Sequence, residues 1–392
     1  MLHLSLIPDI GPATVQHLVA TLGNVELLST LYDYSSAQLS AQFGITPKRA
    51  QALATGLADL SLLEHEAQRI DTHAVSWTTV YCADYPALLR TIHMPPLVIY
   101  WRGKHPAEYE KPVAVVGSRD ANHYGHAINK ALVPALIQAG CTIVSGGALG
   151  IDSMAHRATL EAHGITCVVL GSGLLHLYPF ENSKLFASVL EHGGTLLSIF
   201  SLNTRPLAGN FPARNRVISG LSKGCVVIQA AQKSGARITA ECALEQGRSV
   251  CAVPGPIDDP LSAGCHDLIR NGALLVTSAD DVLQELEYHE QDMANKTNTP
   301  VQKQNLGADK QPAYKTAGLV RTTEQLAPTK VSPAKPLTPA QRIVQLCAQP
   351  ISIDSLMEAT ELSFAELNEL LFDLQIAGKV TQTFAGLWCR RK

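Results

Sequence analysis

The residues best suited to chemistry in this 392-residue chain are arginines and lysines set among glycines. Their types suit the holding of phosphate more than the breaking of bonds. The run Phe211-Pro212-Ala213-Arg214-Asn215-Arg216 places two guanidinium groups and an amide beside an aromatic ring. A guanidinium gives phosphate a bidentate, charge-assisted pair of hydrogen bonds. The ring offers a stacking platform for an unpaired base. The same run also suits a phenylalanine core anchor between surface charges. Its neighbourhood is informative: from His192 to Ala240, 49 residues, there is no Asp or Glu, but there are Arg205, Arg214, Arg216, Lys223, Lys233 and Arg237. The whole chain has a net charge of −3, so this basic segment is local. A local concentration of that kind is the footprint expected for a polyanion.

Other loops repeat the theme. Val116-Gly117-Ser118-Arg119 puts small residues and a guanidinium after a strand-like run, where backbone N–H groups can approach an anion. Ser145-Gly146-Gly147-Ala148-Leu149-Gly150-Ile151-Asp152 suggests a phosphate nest at Gly146, Gly147 and Gly150. It is neither GxGxxG nor a P-loop, which would continue into Lys-Ser/Thr. Lys233-Ser234-Gly235-Ala236-Arg237 is a further basic, glycine-containing turn, and Val253-Pro254-Gly255-Pro256 reads as structural.

Catalytic constellations are missing. There is no GxSxG elbow, no HExxH and no clear metal spacing. Asp152 and His156 stand four apart without a third ligand, and His156 reads as a packed histidine. Glu241 and Glu245 suit a solvated or structural helix face. No catalytic residue, cofactor or metal is therefore expected. The alternative is a Rossmann-like nucleotide phosphoribohydrolase. Such enzymes need a Gly-Gly-x-Gly-Thr-x-x-Glu loop, and Ser145–Asp152 lacks that Thr and Glu.

The elements that must position these loops follow from the apolar pattern. Short β-branched runs recur at Val113–Val116, Thr142–Ser145, Thr166–Leu170, Thr195–Ile199, Cys225–Ile228, Ser249–Val253 and Leu274–Val276, mostly with helix-length segments between them. This rhythm predicts an α/β fold with a mainly parallel, Rossmann-like sheet, whose ligands bind outside the carboxyl ends of the strands. Residues 112–289 form this core. Residues 1–58 read as a helical domain, with a tight helix–turn–helix of SAM or helix-hairpin-helix type around Gly11-Pro12. Such a hairpin can present N–H groups to phosphate or simply pack, and no Lys or Arg precedes Lys48. Residues 59–111 form a connector with a strand at Leu97–Trp101. Residues 290–337 are polar, without apolar periodicity, and read as a flexible linker. Residues 338–392 read as three helices, at Pro339–Ala348, Ser352–Glu358 and Ser363–Ala377, followed by two strands, a winged-helix pattern. The third helix carries Glu366, Glu369 and Asp373 but no Lys or Arg, which favours contact with protein over groove reading.

Composition agrees: 46% hydrophobic and 17% charged residues suit a globular protein. The nine cysteines form no CxxC pair and read as small buried hydrophobes in a reducing compartment. No signal-peptide pattern is visible, and no run approaches the roughly 18 apolar residues of a membrane span. A cytoplasmic location without membrane contact is expected.

Taken in order, Val116-Gly117-Ser118-Arg119, Ser145-Gly146 to Gly150-Ile151-Asp152 with Ala155-His156, Phe211-Pro212 with Arg214-Asn215-Arg216, Ser234-Gly235 with Thr239-Ala240, and Pro254-Gly255 resemble the DNA-processing protein A family, also called DprA or Smf. The resemblance covers about residues 80–285. It implies a cytosolic, non-enzymatic protein of natural transformation. Such a protein binds single-stranded DNA, protects it, acts as a homodimer and loads the RecA recombinase. Carried over by motif, Gly117, Ser118, Arg119, Phe211, Arg214, Asn215, Arg216, Lys233, Ser234 and Gly235, with Arg237 beside them, would line the DNA groove. The chain departs from the family pattern at Leu149, where an Arg is usual, and at Ile199 and Gln229, where acids are usual.

Overall fold

The computed structural model describes residues 1–287, 339–349, 351, 353–360, 362, 364–376, 379–382 and 388–390. They belong to two compact units, Met1–His289 and Glu290–Lys392. The linker expected at 290–337 lies outside the described residues.

The first unit begins with helices α1 (Leu2–Leu6), α2 (Pro12–Leu22), α3 (Ser36–Phe43), α4 (Pro47–Ala58) and α5 (Leu60–Thr72), with a 3-10 segment at Val25–Asp33. Their ends follow local chemistry. Pro12 opens α2, and Gly23 closes it with φ +77°, a left-handed conformation that glycine adopts without a steric penalty. Ser35 and Gln38 form a reciprocal capping box on α3. Val15, Leu18, Leu39, Phe43 and Leu53 share a buried core with the sheet that follows. The carboxylate of Glu66 on α5 is almost fully buried and accepts the Leu202 N–H at 2.7 Å and the Arg69 guanidinium at 3.3 Å.

The sheet has nine strands: β1 (Ser76–Thr79), β2 (Val98–Gly103), β3 (Lys111–Val116), β4 (Cys141–Ser145), β5 (Thr166–Leu170), β6 (Thr195–Ser198), β7 (Gly224–Val227), β8 (Ser249–Ala252) and β9 (Leu274–Leu275). Their order is β1-β2-β6-β5-β4-β3-β7-β8-β9. β1 and β2 pair antiparallel, as do β2 and β6; the other neighbours are parallel. The expected mainly parallel, Rossmann-like sheet is therefore present, with β1 an additional edge strand. The connections carry α6 (Ala87–Arg90), α7 (His123–Gln138), α8 (Ile151–Glu161), α9 (Ser183–Glu191), α10 (Asn210–Gly220), α11 (Gly235–Glu245) and α12 (Ala263–Arg270), and a helix α13 spans 279–287. Along β3, Val113 and Val115 join one core cluster while Ala114 and Val116 join the other. This is the period-two alternation of a strand covered on both faces. From β3 the strand order runs outward both ways, so the β3–β7 pair marks the switch point where such folds leave a crevice.

In the second unit, α14 (Pro339–Leu346), α15 (Ile353–Thr360) and α16 (Phe364–Ile376) precede an antiparallel pair, β10 (Val380–Gln382) and β11 (Trp388–Arg390). Ile351 bridges to Trp388 at the edge of this pair. Ile343, Leu356, Leu367, Leu371 and Trp388 form its core, giving the expected winged helix. No described helix is long and apolar enough to cross a membrane.

Candidate nucleic-acid interface

At the carboxyl ends of β3 and β7 lies a cavity of about 410 Å³. The β3–α7 loop contributes Gly117, Ser118 and Arg119 to its wall. The first turns of α10 contribute Phe211, Arg214 and Asn215, and the turn entering α11 contributes Lys233, Ser234 and Gly235. Three loops far apart in sequence thus meet at the switch point. Arg216 and Arg237, also expected there, do not line it.

The cations divide by what they already touch. Arg119 and Lys233 are exposed, and among the described residues neither has a carboxylate within ion-pair distance. The Arg119 guanidinium lies 5.7 Å from the centre of the Phe211 ring, within cation–π range. Beside Lys233, Ser234 caps α11, its Oγ accepting the Arg237 N–H at 3.4 Å. Gly235 is exposed, and a Cβ there would meet nothing within 4 Å. The positive end of an eleven-residue helix therefore opens onto the cavity, where it favours an anion.

Arg214 behaves differently. It is 4% exposed. Its Nη1 donates to the carbonyls of Gly146 and Val169, tying α10 to the ends of β4 and β5. Burial pulls this guanidinium down to about 10, with Asp152 opposing, so it stays charged at neutral pH. Burial likewise pushes the Asp152 carboxyl up, with Arg214 opposing. The Arg216 Nη2 donates to the carbonyls of His93 and Met94. Arg237 donates to the Gln232 carbonyl at 2.6 Å and contacts Asp267 at 3.4 Å and Glu241 at 3.8 Å. These three arginines hold the chain together, so a count of basic residues overstates the charge offered to a ligand.

The Ser145–Asp152 turn also differs from the expected nest. The Asp152 carboxylate accepts N–H groups of Gly146, at 3.1 Å, and Ala148. The anion in this nest is the chain's own. A Cβ on Gly147 (φ +66°) would lie 2.6 Å from Val168, and one on Gly150 (φ +75°) would strike the carbonyls of Ser118 and Arg119. The glycines here permit close packing. Ser118 is similarly engaged: its N–H donates to Gln229 at 2.7 Å and its carbonyl accepts from Ile151 at 3.1 Å. Asn215 donates to the Gly235 carbonyl at 3.3 Å, steadying the entry to α11.

His156 is fully buried, with Nδ1 2.7 Å from the Thr166 hydroxyl. Burial pulls it down to about 3, so it is a neutral packing group. Gln229 is buried and exchanges two hydrogen bonds with Asn122, the cap of α7. An amide can supply both the donor and the acceptor in this exchange, which an ionised acid cannot. Among the described residues no three His, Cys, Asp or Glu side chains gather as metal ligands. Ile218, Ile238, Thr239 and Leu261 also line the cavity. For Ile218, Ile238 and Thr239 their place on α10 and α11 was the only signal, and Leu261, in the loop between β8 and α12, carried none.

Residues 76–287 match the family model for DNA recombination-mediator protein A, and residues 327–385 match that of the DprA winged helix domain. Protein Smf of Escherichia coli (strain K12) is 47% identical over 203 residues, which cover 52% of this chain and 54% of that protein. The match thus spans about half of that relative's length. Protein Smf of Synechocystis is 35% identical over 308 residues, 76% of each chain. The X-ray structure of DNA processing protein A from Streptococcus pneumoniae superposes with a TM-score of 0.61 at 33% identity, covering 72% of this chain and 95% of that one.

Proposed function

Since this chain belongs to the DNA recombination-mediator protein A family, we propose that it binds single-stranded DNA at the β3–β7 switch point and acts as a recombination mediator without catalysis. The observation that carries this is the pair of exposed cations, Arg119 and Lys233, without a carboxylate partner among the described residues, facing one cavity with the α11 N-terminus and the Phe211 ring. Cations and a helix terminus hold phosphates irrespective of sequence. A ring within the same cavity favours strands whose bases are free to stack. The groove assignment extends to Gly117, Ser118, Asn215, Ser234 and Gly235 as the backbone frame of the site. Arg214 supports the frame from beneath.

In this proposal the bound strand is protected and handed to the RecA recombinase, and the working form is a homodimer. The winged helix contacts protein, in keeping with an α16 that carries Glu366, Glu369 and Asp373 without a basic residue. Anisotropy titrations of labelled single-stranded and duplex oligonucleotides over a salt series test the central part. Tighter binding of the single strand, with log affinity falling linearly in log salt, is expected. Equal affinity for duplex, or no salt dependence, would contradict it.

A further inference from the structure

Next to the phosphate-holding cavity is a notch of about 50 Å³, lined by Leu149, Tyr178 and Pro179. Arg119, Ala148, Phe211 and Arg214 line both hollows. Phe211 therefore stands in the shared wall, its ring centre 5.8 Å from that of Tyr178. Leu149 is 41% exposed and Tyr178 45%, large apolar surfaces left open beside two guanidinium groups. The segment carrying Tyr178 is held in place. Asn182, a few residues on, is buried and donates its side-chain amide to the carbonyls of Gly147 at 2.9 Å and Ala148 at 3.3 Å. Those carbonyls belong to the turn that carries Leu149.

We propose that Tyr178 and Leu149 form a receptor for one unpaired nucleobase of the strand whose phosphate lies by Arg119, on the far side of Phe211. The proposal rests on the single-strand reading above and adds a base-contacting subsite to it. The notch has no acid in its lining, and its apolar faces match the π-face that every base presents. A phosphate neutralised by Arg119 brings the attached base to the shared wall. Leu149 offers an apolar surface at this place, which suits contact with a base more than with a phosphate. Recognition of a π-face predicts tolerance of base identity, but not of its absence.

The test compares wild type, Tyr178→Ala and Tyr178→Phe on oligothymidylate and on an equally long strand of abasic sites. Wild type should prefer the base-bearing strand by about tenfold, within the range of one base–aromatic contact. Tyr178→Ala should lose most of that preference, bind the abasic strand as wild type does, and keep its salt dependence. Tyr178→Phe should keep the preference. A Tyr178→Ala protein that retains the preference, or that weakens equally on both strands, would overturn the subsite while leaving single-strand binding intact. Wild type binding neither strand would overturn the single-strand reading and the subsite with it. Tyr178 is partly exposed, and an unchanged melting temperature for Tyr178→Ala would show that the variant is folded.

Discussion

Two turns at the same edge of the sheet, both rich in small residues, do opposite work. The turn between β4 and α8 holds three glycines, yet its N–H groups at Gly146 and Ala148 already bind the Asp152 carboxylate, and Arg214 caps its carbonyl. The turn between β7 and α11 holds no glycine before Gly235, the first residue of the helix. It leaves Gly235 open and Lys233 without a carboxylate partner among the described residues. Glycine content marks neither turn as a ligand site. What separates them is whether the groups that could receive an anion already have one.

The comparison can be broken most sharply at Arg214. Arg214→Ala would leave Asp152 buried without its cation and two carbonyls without a donor. Removing one partner of a buried charged pair costs about 3–5 kcal/mol, so the urea midpoint should fall steeply. A midpoint near wild type, with DNA affinity lost instead, would move Arg214 from the frame to the ligand. Gly150→Ala comes next. The residue sits at φ +75°, ψ −131° against backbone carbonyls, and a sparsely populated positive-φ conformation alone costs a non-glycine residue about 1–3 kcal/mol. Gly235→Ala, in the open turn, should stay within about 0.5 kcal/mol of wild type. Thermal melts of the two variants side by side check this; equal losses would erase the distinction between the turns. His156 provides a smaller, pH-dependent effect. Burial holds it neutral down to about 3, whereas the unfolded chain protonates it near 6.5. Its contribution is thus fully present above pH 6.5 and is lost as pH falls from there towards 3. Melting temperature against pH should decline less steeply over that window in His156→Leu.

The sheet was legible because parallel strands buried on both faces must be short β-branched runs, as Val113–Val116 and Thr166–Leu170 are. β1 was not, because Ser76–Thr79 is a half-exposed edge strand that pairs only with β2 and needs no apolar run. The loops of the site were legible in order, and nine of the eleven residues expected at the groove line one cavity. The division of labour among their arginines was not. Arg119 and Arg214 are the same residue type, one in the β3–α7 loop and the other in the first turns of α10. The buried one faces Asp152, which precedes it by two strands and a helix. The acid-free stretch from His192 to Ala240 misled for the same reason: Asp152, Glu241 and Asp267, which face Arg214 and Arg237, all lie outside it.

The central claim is that Arg119 and Lys233 supply the phosphate contacts of the cavity. Its most direct measurement is the salt slope of oligothymidylate binding for Arg119→Ala plus Lys233→Ala. The comparison is Lys130→Ala plus Lys184→Ala, two exposed lysines outside the cavity. Each phosphate contact on a single strand contributes about 0.7 to the slope of log affinity against log salt. The cavity pair should therefore flatten the slope by about 1.4 and weaken binding. The control pair should leave both unchanged. A cavity pair that binds with the wild-type slope and affinity would contradict it.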